Sequence, residues 1–597
     1  MKIFRYTLLT FVALTVWGMG AVHAADKSEK KQKQKQEQKQ EKKGKSQDTL
    51  PTVTPNAAVE ATPDATPVKV SVVTSVTAPS MAEPATKKKR DLGRLSGSFE
   101  TNTIIYQNDA KTGAVAPDHN YGSHNYLKLD YQLKRFSVGV QAEWNPQVLQ
   151  GYEQDLHGIY LPEKYIAWTD RSYSITLGDF YEQFGSGLIL RAWEDRALGF
   201  NNSLGGARAT FNIKNILAGK FLYAFPRYYM EYSSTQIFGG DLSLSLSNAI
   251  GMKDHSLEIE GSVVNRYERK HPESYTTEKL GFKISPNVVS YSARVNYEWE
   301  GLMAKFEYVG KGKDLFTSPL TAEQESVRGS AQLAEIGYST DGFSISGMFR
   351  RLKNMQQLMW RTEQNPLPGN TMNYIPALSP QHSYILATLD PYTPNVFGEM
   401  GGQLDMFYSF KRGSALGGKR GMKVHANFSM YYSLDGATFV EGNNFLFREF
   451  TFDIDKSWNK KLRTILFVSL QKGALHSPNE TVDLNTFVGD ITYKFTPKFS
   501  MRAELQYLYT PDDKNGDWVA AALEMSFAPK WSVFGSWTYN YGGQKIHYYS
   551  AGASFTHSFV RVAMSYGRNK AGFVCSGGVC RSMPAYTGGN LQLTLTF

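Results

Sequence analysis

The chain has 597 residues, is 41% hydrophobic and has a mean hydropathy of −0.38, which excludes a helical membrane protein. Two cysteines exclude a disulfide scaffold at this size, and 35 Tyr, 35 Phe and 52 Gly favour strands and turns over helices. The net charge of +10 does not mark a nucleic-acid binder: +2 sits on Lys2 and Arg5 and +5 between Asp26 and Asp91, leaving +3 for residues 92–597.

Residues 1–24 read as a secretory signal. Lys2 and Arg5 precede the apolar run TLLTFVALTVWGMGAV, and Val22-His23-Ala24 fits a small-x-small cleavage site ending at Ala24. Residues 25–91 are low in complexity. Asp26–Ser46 is almost wholly Lys, Gln, Glu and Ser, and Thr49–Pro84 is rich in Pro, Thr, Ala and Val. Nothing there can bury a core, so a disordered periplasmic linker is expected.

From Arg94 onward the dominant pattern is alternation. Phe136, Val138, Val140, Ala142 and Trp144 share one face, and Ser137, Gly139, Gln141 and Glu143 take the other. The same pattern returns in Val289–Glu300 and in Phe499–Tyr509. A sandwich in water alternates too. Three features favour a membrane barrel. The runs have the ~9–11 residues that cross a bilayer at a tilt. Aromatics such as Trp299, Tyr509, Trp531, Tyr539 and Tyr541 cluster near run ends, as interfacial girdles require. Links between runs also alternate short and long. Short ones fall near residues 135, 171, 214, 251, 300, 340, 415, 458, 497, 529 and 557. Interleaved with twelve long ones, they predict an all-β, antiparallel up-and-down barrel of about 24 strands, within two, over residues 92–597.

One long link differs from the rest. Between Gly178 and Arg208 it mixes Asp179, Tyr181, Phe184, Arg191, Glu194, Asp195 and Arg196 with the glycine pair Gly205-Gly206. Such a segment can fold inward and dock on charged wall residues, for which Glu143, Arg294, Glu298, Arg502 and Glu504 are candidates. It then acts as a constriction or ligand shelf, or braces a wide barrel. Residues 353–398 contain a strand-like stretch, His382–Asp390. An extra strand would break the even parity of bacterial barrels, so this stretch is assigned to a loop.

Cys575 and Cys580 enclose Ser-Gly-Gly-Val and can close a tight disulfide in an oxidising envelope. A C-x4-C pair could also hold half a zinc site, but no second pair or nearby histidine completes one. The strand parity places this loop outside the cell. At the end of the chain Leu591, Leu593, Leu595 and Phe597 alternate with polar residues. This pattern, with Leu593, Leu595 and Phe597, resembles the insertion signal of bacterial outer-membrane barrels. Together, the Cys-Ser-Gly-Gly-Val-Cys-Arg stretch and the Gly178–Arg208 segment resemble an uncharacterised family of large Bacteroidota outer-membrane barrels. The resemblance covers residues 92–597 and carries no catalytic residues.

The histidines are scattered and form no His-x-x-x-His or His-Glu pair, and there is no glycine-rich phosphate loop. No enzyme, cofactor or metal centre is therefore expected. The early strands leave no room for a folded N-terminal plug, which argues against a TonB-driven receptor. Two functions remain: passage of polar solutes, or a scaffold in an outer-membrane secretion or assembly machine. The expected partners are outer-membrane lipids, the barrel-assembly machinery and envelope proteins, with no nucleic acid.

Overall fold

A computed structural model describes residues 92–268, 277–318, 320–360, 370–438, 442–474, 481–511 and 516–597. The expected leader with Ala24 and the expected linker lie outside the described residues.

Alternating side chains give one sheet, and the sheet closes. Wall strands from Arg94–Gln107 to Tyr586–Thr596 each pair antiparallel with the next, and the first pairs with the last from Ser98 opposite Thr596 to Gln107 opposite Thr587. The two-residue strand Glu231–Tyr232 joins only the tip of Leu217–Tyr228, so among the described residues the wall has 24 strands. Closure leaves no edge on which another chain could pair.

All eleven short links occur near the expected positions. Where a two-residue turn is tightest, both residues are left-handed, Glu300 at φ 41° and Gly301 at φ 86°, which suits the twist of a hairpin. One of them, after Gln236–Ser245, carries a one-turn helix, Leu246–Ile250, capped by Ser245 Oγ. The other twelve links gather at the opposite end. His382–Asp390 forms no strand.

The burial pattern is inverted relative to a water-soluble sandwich. In Asn287–Trp299 the apolar side chains face out, with Val289 46% and Tyr291 48% exposed, while Ser290 and Arg294 are buried. Phe136 and Trp144 face out across Phe136–Gln147 while Gln141 and Glu143 are buried. An apolar exterior around a polar interior is the pattern of a membrane-spanning barrel, and Trp299, Tyr509 and Trp531 lie exposed at strand ends as a girdle requires. Leu593 and Leu595 pair with Thr101 and Phe99 across the closing seam, and Phe597 is exposed beside Gly97.

The core lies inside the barrel. The chain leaves the wall at Phe180 and returns at Leu204, directly opposite it. It leaves again at Lys353 and returns opposite at Gly398. Residues 181–203, 354–360 and 370–397 enter the lumen between those points.

Candidate functional site: the lumen and its inner loops

Residues 181–203 contribute Phe184, Leu188, Ile189, Leu190 and Ala192 to an apolar cluster. The second loop adds Met355, Met359 and Met372, and the wall supplies small and branched side chains, among them Leu222, Ile237, Val264 and Val309. Phe184 is fully buried, with its ring against Gly239, a wall position with no side chain to block it. An apolar core inside a lumen is what a packed plug requires and what an open water channel lacks.

The loops are also bonded to each other. The Arg191 amide donates to Met372 O at 2.9 Å, the Tyr374 amide to Gly187 O at 2.9 Å, and Asn373 Nδ2 to Leu188 O at 3.1 Å. The Arg191 guanidinium lies 3.7 Å from the centroid of the Tyr374 ring and also faces Trp193.

Wall cations hold the second loop by its backbone. Arg266 donates to Leu358 O at 2.6 Å and to Asp314 at 2.7 Å. Lys311 donates to Gln356 O at 2.6 Å. Arg350 donates to Pro376 O at 2.5 Å and to Glu399 at 2.7 Å. Glu399 in turn accepts from the Tyr392 hydroxyl and from the Asn395 amide. Each buried cation thus has a carboxylate within reach and spends further donors on loop carbonyls that no sheet satisfies. Burial, and then the charge of Glu399, push the Tyr392 hydroxyl well above its ordinary range, so it stays a donor.

The first loop is held by a different set. Arg196 pairs with Glu100 at 2.7 Å and Glu194 at 3.1 Å and lies over the Tyr126 ring. Glu194 also accepts from Gln141 at 2.7 Å. Asp195 accepts the Leu198 amide. Glu182 receives Lys220 at 2.8 Å and Arg208 at 3.4 Å, and the Ser186 amide donates to Glu307 at 3.2 Å. The Tyr181 hydroxyl accepts from Asn201 Nδ2 at 2.9 Å and is held well above its ordinary range by burial and by the charge of Glu194.

Two expected loop residues are wall residues. Arg208 lies in Leu204–Ile213 and points inward. Asp179 lies in Tyr173–Phe180 on the outward register of Ile175 and Leu177, so it is not in the lumen. Its carboxylate is covered by Lys164, 3.0 Å away, and by the Tyr232 hydroxyl.

The wall partners expected for the loop charges are mostly engaged elsewhere. Arg227 of Leu217–Tyr228 reaches across to Glu143 at 2.6 Å, leaving Glu143 a 3.5 Å contact with Asn201 of the loop. Arg294 pairs with Asp241 and Glu260, and Arg502 with Asp490 and Glu504. Glu298 is exposed near the end of Asn287–Trp299 and, among the described residues, bonds to no loop residue.

Sequence reasoning missed the second inner loop as a lumen element. Met355, Leu358, Met359, Trp360, Met372 and Ile375 are too many apolar side chains for a solvated loop, and that density was the available signal.

Cys575 and Cys580 are disulfide-bonded across the hairpin Gly572–Ser576 and Val579–Met583. The hairpin tip meets the second loop, where the Ala377 amide donates to Gly578 O at 2.9 Å and the Tyr374 hydroxyl to Gly577 O. Arg581 pairs with Glu153. Among the described residues no group of three or more His, Cys, Asp and Glu side chains is placed to hold a metal ion.

The class is thus a membrane-spanning β-barrel with two of its own loops packed inside the lumen. The chain belongs to a family of unknown function, DUF6029, which it matches over residues 68–597. No curated protein matches. Among solved structures it is similar to the translocation pore of the P pilus usher PapC (8% identity, TM-score 0.42, covering 84% of this chain and 99% of that one). It is also similar to the siderophore receptor PirA from Pseudomonas aeruginosa (10%, 0.38, 85% and 81%) and to the outer membrane transporter YddB from Escherichia coli (8%, 0.36, 84% and 81%). With every TM-score below 0.5, these likenesses say nothing of what the barrel carries.

Proposed function

We propose that the protein sits in the Gram-negative outer membrane and passes small polar solutes through a lumen whose free cross-section is set by residues 181–203, 354–360 and 370–397. The observation that carries this reading is the clamping of both loops inside the barrel by wall side chains. The apolar exterior supports a bilayer setting, and the long-loop end, with the disulfide hairpin, faces outward in this reading. The N-terminal segment is then exported and stays in the periplasm. The lipids and the barrel-assembly machinery are the implied partners, and the reading includes no catalytic step.

A second reading is a non-enzymatic scaffold or accessory subunit of a secretion or assembly machine. The apolar cluster between loops and wall favours it, because a plug packed that way closes the lumen. Liposome swelling separates the two. Wild-type protein in liposomes should admit arabinose faster than protein-free vesicles. Folded protein that leaves the rate unchanged would refute the channel reading and leave the scaffold.

A further inference from the structure

A cavity of about 430 Å³ lies inside the long-loop end, between the second loop at residues 377–392, the wall strands Phe445–Ser457 and Leu462–Ala474, and the disulfide hairpin. Its size falls within the roughly 300–1,000 Å³ typical of small-molecule sites. It is separate from the apolar cluster around Phe184. Its outer boundary is the hairpin itself, through Phe573, Cys575, Gly578 and Cys580.

The chemistry of the lining is one-sided. Among the described residues it presents two carboxylates, Glu449 and Asp390, one imidazole, His382, and neither lysine nor arginine. Glu449 is 2% exposed, and among the described residues its Oε1 accepts from His382 Nε2 at 2.7 Å and from Ser469 Oγ at 2.7 Å. A carboxylate has two oxygens and about four lone-pair sites, so Glu449 retains accepting capacity on Oε2. Phe447 and Tyr392, stacked at 4.8 Å, and Phe573 supply aromatic surface beside it. A formally negative, partly dry pocket repels anions and attracts cations more strongly than water-exposed charges do. Aromatic faces add a cation–π term for ammonium groups.

We propose that this cavity is a binding site for a small organic cation, a solute carrying a primary or alkylated ammonium group. Glu449 is the charge that selects the solute, His382 positions Glu449, and the disulfide hairpin is the outer wall. The proposal rests on the reading of the lumen as a solute route only for its physiological use. The site itself is tested by binding, whereas the route is tested by swelling and conductance, so each can fail alone.

The experiment is calorimetric titration of the full-length protein in detergent with three probes at matched ionic strength: tetramethylammonium chloride, maltose and sodium gluconate. Saturable binding of tetramethylammonium is expected, with none for gluconate. Glu449→Gln should weaken it at least tenfold, and Ser383→Trp, a substitution on the exposed part of the loop that lines the cavity, should abolish it. Glu524→Gln, a wall residue outside the cavity, should leave it unchanged. Folding of each variant is read from its heat-modifiable electrophoretic mobility. Ser383→Trp keeps the test decisive should Glu449→Gln fail to fold. The proposal is overturned if tetramethylammonium does not saturate, if maltose or gluconate binds in its place, or if folded Ser383→Trp binds like the wild type.

Discussion

Under the proposed function, the forces that hold the first loop in the lumen decide how far the barrel conducts, and Phe184→Ala tests which of them dominate. Phe184 is fully buried in the cluster shared by both loops and the wall. Truncating a buried phenylalanine costs about 3–5 kcal/mol when the site cannot collapse. At ~1.4 kcal/mol per power of ten, this favours the undocked loop by two to almost four powers of ten. The ionic contacts are weaker individually. Arg196 and Glu100 are both partly exposed, and a pair of that kind contributes about 0.2–1 kcal/mol. Phe184→Ala should therefore increase bilayer conductance far more than Arg196→Ala. Gly239→Ala should act from the wall side. Its Cβ would stand 2.8 Å from Cε2 of Phe184, so the ring must move. Conductance recordings of the three variants at equal folded amounts check this. If Arg196→Ala opens the pore and Phe184→Ala matches the wild type, the apolar cluster does not hold the plug.

Other expectations follow from single contacts. Glu143→Gln removes the carboxylate facing the buried Arg227 and should destabilise the barrel by about 3–5 kcal/mol in urea unfolding, whereas replacing both partners with apolar residues should recover most of the loss. After reduction, Cys575 and Cys580 should react with a membrane-impermeant maleimide in intact cells; labelling only after the outer membrane is broken would reverse the proposed orientation. Asp109, outside the wall strands, accepts from Arg568 at 2.5 Å and Thr587 at 2.7 Å, and chiefly the Arg568 hydrogen bond holds its carboxyl down at about 2. Its folded value is lowered, so its stabilisation is complete above the ordinary carboxylate range and is lost as the pH falls through about 2. The unfolding midpoint of Asp109→Asn should therefore depend less on pH than the wild type between about pH 4 and 2.

The wall was legible because a barrel enforces a period of two at every strand. Val289, Tyr291 and Val295 had to face one way and Ser290, Ser292 and Arg294 the other, whatever the neighbours were. The inward loop was legible for a similar reason, since Arg191, Glu194, Asp195 and Arg196 crowded beside Phe184 do not suit a free tip. Its partners were not legible. Which wall side chain meets Arg196 depends on the register of strands far apart in sequence, and this places Glu100 beside it and gives Glu143 to Arg227. Asp179 was misread for a local reason: the segment was treated as loop from Gly178 onward, but the strand continues to Phe180 and its parity turns Asp179 outward. The second loop bears few charges, so a search for charged residues passed over it, although wall cations bind its backbone carbonyls.

Under the proposed function, loops packed inside the lumen limit what passes through a lipid-embedded barrel. Single-channel recording tests it most directly, with residues 182–203 replaced by a short turn and folding confirmed by heat-modifiable mobility. The shortened protein should conduct more than the wild type, and cells carrying it should become sensitive to large antibiotics. A folded, shortened protein with no greater conductance than the wild type would contradict the claim.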